Sequence, residues 1–485
     1  MKITDHSKAT AASSLLASVL VAAILLAPAR SGADQSAGPG KSSLEVARSR
    51  VQENDLDGAA KAFAEQNRTS EPDRESLIQQ GQVESWRGNY AKATELLELY
   101  RDEFGRDSDY LRNRARLLAW AELPDQAMVI VEELLKNDPG DFSALFSKAI
   151  AMQRNNQPVE ALALAEELKR THPSRDTEEL HLVAWTQVRS HIGATINYYT
   201  DADDLDHLHS ELFGVHFLSP VTSLGIRLEY DDLSAPHGSG LENVDGSENE
   251  EYQRGALELW HRFSPWLAAD LSLGASRTGE LEKFPTTRVN LALNPIDTLD
   301  LRLSQEYDYY LISPRSVSLG IRRSHYQAEA NWRPDLNYTV VAQVAYDDFS
   351  DDNNKWLAVL SPRRAFLRSQ HFNLDLGVRG WLFGFERDLE HGYYDPEKYQ
   401  SYMVTAFSRW KIDRDNEIGL SGAAGMLKDD RMDSFEFGWD ATLEGIFGIY
   451  RDWLLKAHVS AMENQRQNSG AYNATSGGLT LIRRF

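Results

Sequence analysis

Cysteine is absent from all 485 residues. That excludes disulfides, thiolate metal sites, thiol nucleophiles and a lipid-modified cysteine at the N-terminus. Basic side chains are outnumbered, with 51 Lys plus Arg against 73 Asp plus Glu and a formal charge of −22. Such a balance excludes a phosphate-neutralising surface and speaks against nucleic acid as a partner. Long apolar runs are missing after residue 29, where a spanning helix needs roughly 18 or more apolar residues. Any membrane residence must then come from strands. The mean hydropathy of −0.48 does not oppose this, because half the residues of a membrane strand face water. There is no phosphate-cradling glycine loop and no zinc-ligand spacing, so neither a cofactor nor a metal is expected.

What is present begins with a secretory pattern. Lys2 and Lys8 precede an apolar run from Ala11 to Ala27, and Ala27-Pro28-Ala29 offers small residues for cleavage. Residues 1–29 are therefore expected to be a signal peptide.

A 34-residue repeat follows. Small residues recur at Ala59, Ala93, Ala127 and Ala161, with Phe63, Leu97, Val131 and Ala165 four positions on. A second small position reads Ala47, Gly81, Ala115 and Ala149. Several positions keeping one register indicate stacked helix hairpins, and the spacing is similar to that of the tetratricopeptide repeat. Four units are predicted near 40–73, 74–107, 108–141 and 142–175. Thr177 to Arg189 is expected to be a capping helix, giving a helical domain over 40–189. Pro124 and Pro158 stand where these repeats usually carry an aromatic residue, and a helix tolerates proline in its first turn.

From 190 to 485 the chain alternates apolar and polar residues. Leu224, Ile226, Leu228 and Tyr230 share a face opposite Ser223, Gly225, Arg227 and Glu229; Phe435, Phe437, Trp439, Ala441 and Leu443 oppose Glu436, Gly438, Asp440, Thr442 and Glu444. Period two is the strand period. Sixteen strands are predicted, centred from about 195 to about 479. Their connections alternate. One set is short and often carries proline, as at Ser219-Pro220, Ser264-Pro265 and 294–297. The other set is longer and acidic, at 200–208, 231–250, 277–286, 347–355 and 384–398. Outer-membrane barrels have short periplasmic turns and long external loops. The fold class expected is thus helical repeats followed by an antiparallel transmembrane β-barrel of about 16 strands. The last residues end on Phe485, which shares a face with Leu479 and Leu481 and resembles the terminal signal read by the barrel assembly machinery. Arg483 departs from the apolar pattern on that face.

The inward set holds Arg227, Glu229, Asp270, Arg302, Asp375, Arg379, Glu436, Asp440 and Glu444, the candidate lumen residues. Charges of both signs in a lumen set a field and a selectivity; they can equally neutralise one another. Aromatic side chains beside loops are candidates for stacking on sugar faces, namely Trp381, Tyr393 and Tyr394, with Asp395 beside them. His207, His209 and Ser210 fall together in the predicted first loop region, the one hint of a hydrolase. No orienting acid stands at a defined place in the sequence, so no catalytic residue is assigned.

Ser313-Pro-Arg-Ser-Val-Ser-Leu-Gly-Ile321, the Tyr346-Asp-Asp-Phe-Ser-Asp-Asp-Asn-Asn354 loop, Ser369-Gln-His-Phe-Asn-Leu-Asp375 and Gly392-Tyr-Tyr-Asp-Pro396 resemble segments of the outer-membrane exopolysaccharide exporters. This is the family of the poly-N-acetylglucosamine and cellulose secretion barrels. The architecture of the whole chain resembles theirs, with a shorter repeat array. The resemblance implies a Gram-negative outer-membrane porin that exports a polysaccharide. It also implies periplasmic repeats that bind polymer or the periplasmic and inner-membrane components of a glycan synthase. A structural or small-solute barrel of the YaiO type is the alternative, and an outer-membrane hydrolase a further one.

Overall fold

A computed structural model describes residues 42–69, 71, 73–279, 283–466 and 470–485. The predicted signal peptide lies outside the described residues.

Among the described residues nine helices come first: α1 (Ser43–Gln52), α2 (Leu56–Thr69), α3 (Arg74–Trp86), α4 (Tyr90–Phe104), α5 (Ser108–Trp120), α6 (Pro124–Asn137), α7 (Phe142–Arg154), α8 (Pro158–Thr171) and α9 (Arg175–Thr186). They pair as hairpins, α1 with α2, α3 with α4, α5 with α6 and α7 with α8. The small residues of the repeat sit where paired helices cross. Ala47, Ala59, Ala93, Ala115, Ala127 and Ala149 are fully buried, and a longer side chain there would push the helices apart. Phe63, Leu97 and Val131 fill the space beside them.

The two helices of each hairpin start differently. The first helix of a repeat is capped by a side chain: Asp73, Asp107 and Asp141, each 34 residues apart, accept from backbone N–H groups three positions on. Ser42 forms a capping box with Glu45. The second helix has no such cap at Asn89, Leu123 or Gln157. Its approach is a tight tip containing one residue with positive φ: Asn54 at 59°, Gly88 at 75°, Glu122 at 61° and Asn156 at 54°. These four positions also recur every 34 residues. Asn and Gly enter that region readily; Glu does so at a cost.

Sixteen strands follow, each bracketing its sequence-predicted centre: β1 (His191–Asp201), β2 (Asp206–Ser219), β3 (Thr222–Ser234), β4 (Asn249–Ser264), β5 (Leu267–Thr278), β6 (Phe284–Ile296), β7 (Leu299–Tyr309), β8 (Arg322–Trp332), β9 (Tyr338–Phe349), β10 (Asn354–Arg368), β11 (Phe372–Phe385), β12 (Tyr399–Lys411), β13 (Asn416–Asp429), β14 (Glu436–Phe447), β15 (Trp453–Arg466) and β16 (Gly470–Arg484). Every neighbour is antiparallel, and β1 pairs with β16 from His191↔Arg484 to Asp201↔Ala474, closing the barrel. Closure removes the sheet edges that hydrocarbon would leave unpaired. The outer wall exposes large apolar side chains at alternate positions, among them Leu212, Ile226, Leu257, Val344, Val404 and Phe437. A soluble surface does not carry a continuous apolar belt of that kind. Arg483 lies on this outer face with its guanidinium 5.4 Å from the centre of the Trp453 ring, so the basic residue in the terminal strand is accommodated by an aromatic rim.

The helices are not a free arm. Their tips sit on the barrel's near-end turns. Gln370, in the β10–β11 turn, accepts from Leu56 N at 2.9 Å and donates to Asn54 O at 2.7 Å. Arg87 donates to Arg368 O. Glu122 pairs with Arg333 of the β8–β9 turn at 2.7 Å. Asn156 donates to Pro265 O and to Asn294 Oδ1. Glu179 of α9 reaches Arg414 in the β12–β13 turn, and Arg189 bonds Arg484 O and Asp452. The missing cap of α6 is supplied by the barrel: the Asp297 carboxylate accepts from Asp125 N at 3.0 Å and Gln126 N at 3.1 Å. Burial pushes the Asp297 carboxyl up, against the pull of those two N–H groups. Replacing it (Asp297→Ala) is expected to cost about 1 kcal/mol, the usual worth of an N-cap. Amide hydrogen exchange would then quicken at 125–127 and stay unchanged in the strands; uniform exchange across both would refute a cap supplied by the barrel.

Candidate functional site: a charged lumen under a latched mouth

The alternation places the polar partners of the outer belt inside. Arg227, Glu229, Asp270, Arg302, Asp375, Arg379, Glu436, Asp440 and Glu444 all lie on the inward face of their strands, in antiphase with exposed apolar neighbours such as Ile226, Leu273, Leu303, Val378, Phe437 and Leu443. They do not form one cluster. On the β2–β7 side, Arg227 lies between Glu211 and Glu258, 2.6 Å from each. Arg254, almost wholly buried in the wall, holds Glu229 at 3.1 Å, Thr286 Oγ1 at 2.9 Å and Ser272 Oγ at 3.0 Å. Tyr252 donates to Asp308 at 2.7 Å, and Arg288 pairs with Glu306 at 2.9 Å. Asp270 accepts from Asn290. Elsewhere in the barrel Arg379 pairs with Asp440, and Arg368 with Asp375 at 2.6 Å. Arg302 and Glu444 are exposed to the interior. Arg227 thus lies between two carboxylates and Arg254, Arg288, Arg368 and Arg379 each pair with at least one, while carboxylates remain in excess among these residues.

Sequence reasoning missed Glu211, Tyr252, Arg254, Glu258, Arg288 and Asp308. The signal was available: from 252 to 260, Tyr, Arg, Ala, Glu and Trp alternate with Gln, Gly, Leu and Leu. The histidine group is differently placed from its expectation. His207 and His209 stand within β2, not in a loop, because the strand starts at Asp206. Both face inward and bond Asp231, at 2.7 and 2.9 Å. Ser210, on the opposite strand face, points away from them, so the three residues cannot act together as nucleophile and base. Among the described residues no cluster of His, Asp and Glu could hold a metal ion.

The far end of the barrel is closed over on one side. The β7–β8 connection carries a short helix, α10 (Pro314–Ser318), with a capping box between Ser313 and Ser316. The β11–β12 loop folds against it: Ser313 Oγ donates to Gly392 O at 2.5 Å and Arg315 Nε to Glu390 O at 2.9 Å. A Cβ on Gly392, whose φ is +80°, would stand 2.6 Å from both Arg315 Cβ and Ser313 Oγ, so only glycine fits this approach. The β9–β10 turn joins in. Asn353 donates to Arg387 O and to Tyr393 OH, and Tyr393 OH donates to Asp351 at 2.8 Å. Tyr394 OH donates to Asp429 at 2.5 Å. Beneath this network lies an aromatic cluster. Phe349 stacks on Tyr393 at 5.7 Å, Phe383 on Tyr399 at 4.6 Å, and Phe385 and Tyr310 complete it. Trp381 is on the inward face of β11 beside Phe383. Tyr393 and Asp395 are buried and Tyr394 is half-buried within this latch.

Asp395 sits under the loop, accepting from Leu389 N at 2.6 Å, with Arg431 3.6 Å away and bonded to Asp388. Burial, reinforced by the charge of Asp388, pushes the Asp395 carboxyl up to about 7. The latched form therefore binds a proton that a carboxyl in the opened loop, near 3.8, releases. Its contribution is present below about pH 4 and is lost as pH rises through about 7. Relative to the intrinsic exchange rate at each pH, the amides of 386–398 are expected to be less protected at pH 8 than at pH 5, and Asp395→Asn to abolish that difference in protection. An unchanged pH dependence in that variant would refute the assignment.

A solved "bacterial polysaccharide outer membrane secretin" matches with a TM-score of 0.51 and 13% identity, covering 62% of this chain and 99% of that one. The likeness establishes the fold. A tetratricopeptide repeat protein from Parabacteroides merdae matches 29% of this chain at 17% identity and TM-score 0.23. Pseudomonas aeruginosa OpdK, solved with vanillate, matches 61% of this chain and 98% of its own at 10% identity and TM-score 0.32. No protein-family model matches the sequence. No curated protein matches it either.

Proposed function

We propose that this chain is an outer-membrane porin that passes an exopolysaccharide, of the poly-N-acetylglucosamine or cellulose kind, through its lumen. The observation that carries the reading is the breadth of the likeness to a polysaccharide outer membrane secretin, 99% of whose chain is covered by the match. The apolar outer belt supports membrane residence, and the helical end would then lie in the periplasm with the latch outside. Phe485 would serve recognition by the barrel assembly machinery. A wall with excess carboxylate suits a partly deacetylated, cationic glucosamine polymer better than a neutral one. Passage requires many weak contacts and no strong one, which a lumen of mutually satisfied ion pairs provides. The repeats, seated on the turns, would hand polymer or a synthase component to the near mouth.

Single-channel recording in planar bilayers tests this. Glucosamine oligomers are expected to block the conductance from the helical side, and neutral maltose oligomers to block it less. Conductance indifferent to both would favour a small-solute or structural barrel, which the latch over the far mouth would also suit.

A further inference from the structure

The helical collar and the barrel rim line an open cavity of about 260 Å³. Glu122, Asp125 and Arg154 come from the repeat tips, and Asp297, Asp300 and Arg333 from the barrel. Its barrel side includes Asn294 and Asp300, which stand on the inward faces of β6 and β7. The cavity is therefore at the near mouth of the lumen. Its size is just under the roughly 300–1,000 Å³ of drug-sized sites, which suits a sugar unit and excludes a protein segment. Its lining is almost wholly polar, with four carboxylates against two guanidinium groups.

Glu122 is the feature that needs explaining. Its three counterparts in the repeat are Asn54, Gly88 and Asn156, residues that take positive φ easily, while Glu122 holds a φ of 61°. A backbone held in that region by a glutamate is strained, and such strain gathers at binding sites. Two guanidinium groups fix the side chain, Arg154 Nη1 at 2.8 Å and Arg333 Nη1 at 2.7 Å. Arg333 keeps a buried Nε with no partner. Asp300 lies 3.8 Å from Arg333 and bonds Asn294. A fold that needed only a tip at this point would be served by Asn or Gly.

We propose that this cavity is a hexosamine-binding subsite at the near mouth, with Glu122 and Asp300 accepting from the sugar ammonium and hydroxyls, and Arg333 donating to its ring or hydroxyl oxygens. The proposal rests on the export reading and adds to it a place where the polymer is first held. The carboxylate excess selects an amino sugar over a neutral one.

The test uses the full chain in detergent micelles and a glucosamine trimer as probe, measured by calorimetry. The wild type is expected to bind it, with Glu122→Gln and Asp300→Asn each about tenfold weaker, the worth of one hydrogen bond to a charged group. A surface variant of α6, Glu132→Gln, exposed and outside both the cavity and the lumen, is expected to bind as the wild type does. Because the chain has no native cysteine, a disulfide between Asn54→Cys and Gln370→Cys reports collar docking in each variant. Weakened binding with docking retained supports the site. No binding by the wild type, or wild-type affinity in both cavity variants, overturns it. Export separates the two readings: polymer secreted by wild-type cells while the wild-type protein fails to bind the trimer removes the subsite and leaves the porin.

Discussion

Excision of residues 387–394, bridged by two glycines, is expected to raise single-channel conductance several-fold over the wild type. The latch is held at discrete points, Ser313 on Gly392, Arg315 on Glu390, Asn353 on Arg387 and Tyr393 on Asp351. All but the last run to the backbone of the excised stretch, and Tyr393 itself goes with it. The aromatic cluster below would lose Tyr393, the ring that stacks on Phe349 and packs on Tyr310 and Phe385. Stacked pairs of this kind contribute about 0.5–1.5 kcal/mol each beyond burial, so the remaining rings are no longer held across the opening. The strands on either side keep their full pairing, so the barrel itself should still assemble and migrate as a folded band in unheated gels. Wild-type conductance in the excised barrel would mean that the loop does not obstruct the path.

Reversal of three inward carboxylates, Glu436→Lys, Asp440→Lys and Glu444→Lys, is expected to abolish polymer export and turn a cation preference into an anion preference. All three stand on β14, and a change of sign at each moves the local charge by six units along one stripe of the lumen. Asp440 also anchors Arg379, which would be left facing a lysine. In a water-filled lumen the pair interaction at 4 Å is about 1–4 kcal/mol, so repulsion over several successive sugar units exceeds thermal energy. The outer face of β14, with Phe437 and Leu443 exposed to lipid, is untouched, so assembly is expected to persist. Reversal potentials in a salt gradient and secreted polymer measured by glycan-specific lectin give two independent readings. Normal secretion with reversed ion selectivity would remove lumen charge from the export mechanism.

The sequence made the strands legible because membrane strands obey one period. A residue such as Ile226 must face lipid and Arg227 must not, and a slip of one position would exchange them. The repeat was legible for a related reason: Ala93 and Ala127 recur at a fixed distance because each occupies the same helix crossing. What depends on contact between distant segments was not legible. Nothing local announces that Asp297 caps α6, since its partners are 171 and 172 residues away. The loop motifs were recognised as separate stretches, and only the fold brings Ser313, Asn353 and Gly392 into one latch. The acidic stretch 200–208 reads as a connection and draws the histidines into it, while β2 already begins at Asp206. Glu122 could have been found from the sequence, as the one charged residue at a position otherwise held by Asn and Gly.

The seating of the repeat tips also bears on the order of assembly. Their contacts run from the β4–β5 turn to the β12–β13 turn, and Arg189 grips Arg484 at the junction of the first and last strands. That seat does not exist until the sheet has closed on itself. The segment made first must wait for the segment made last, and the docked collar is in effect a certificate that the ring has been completed.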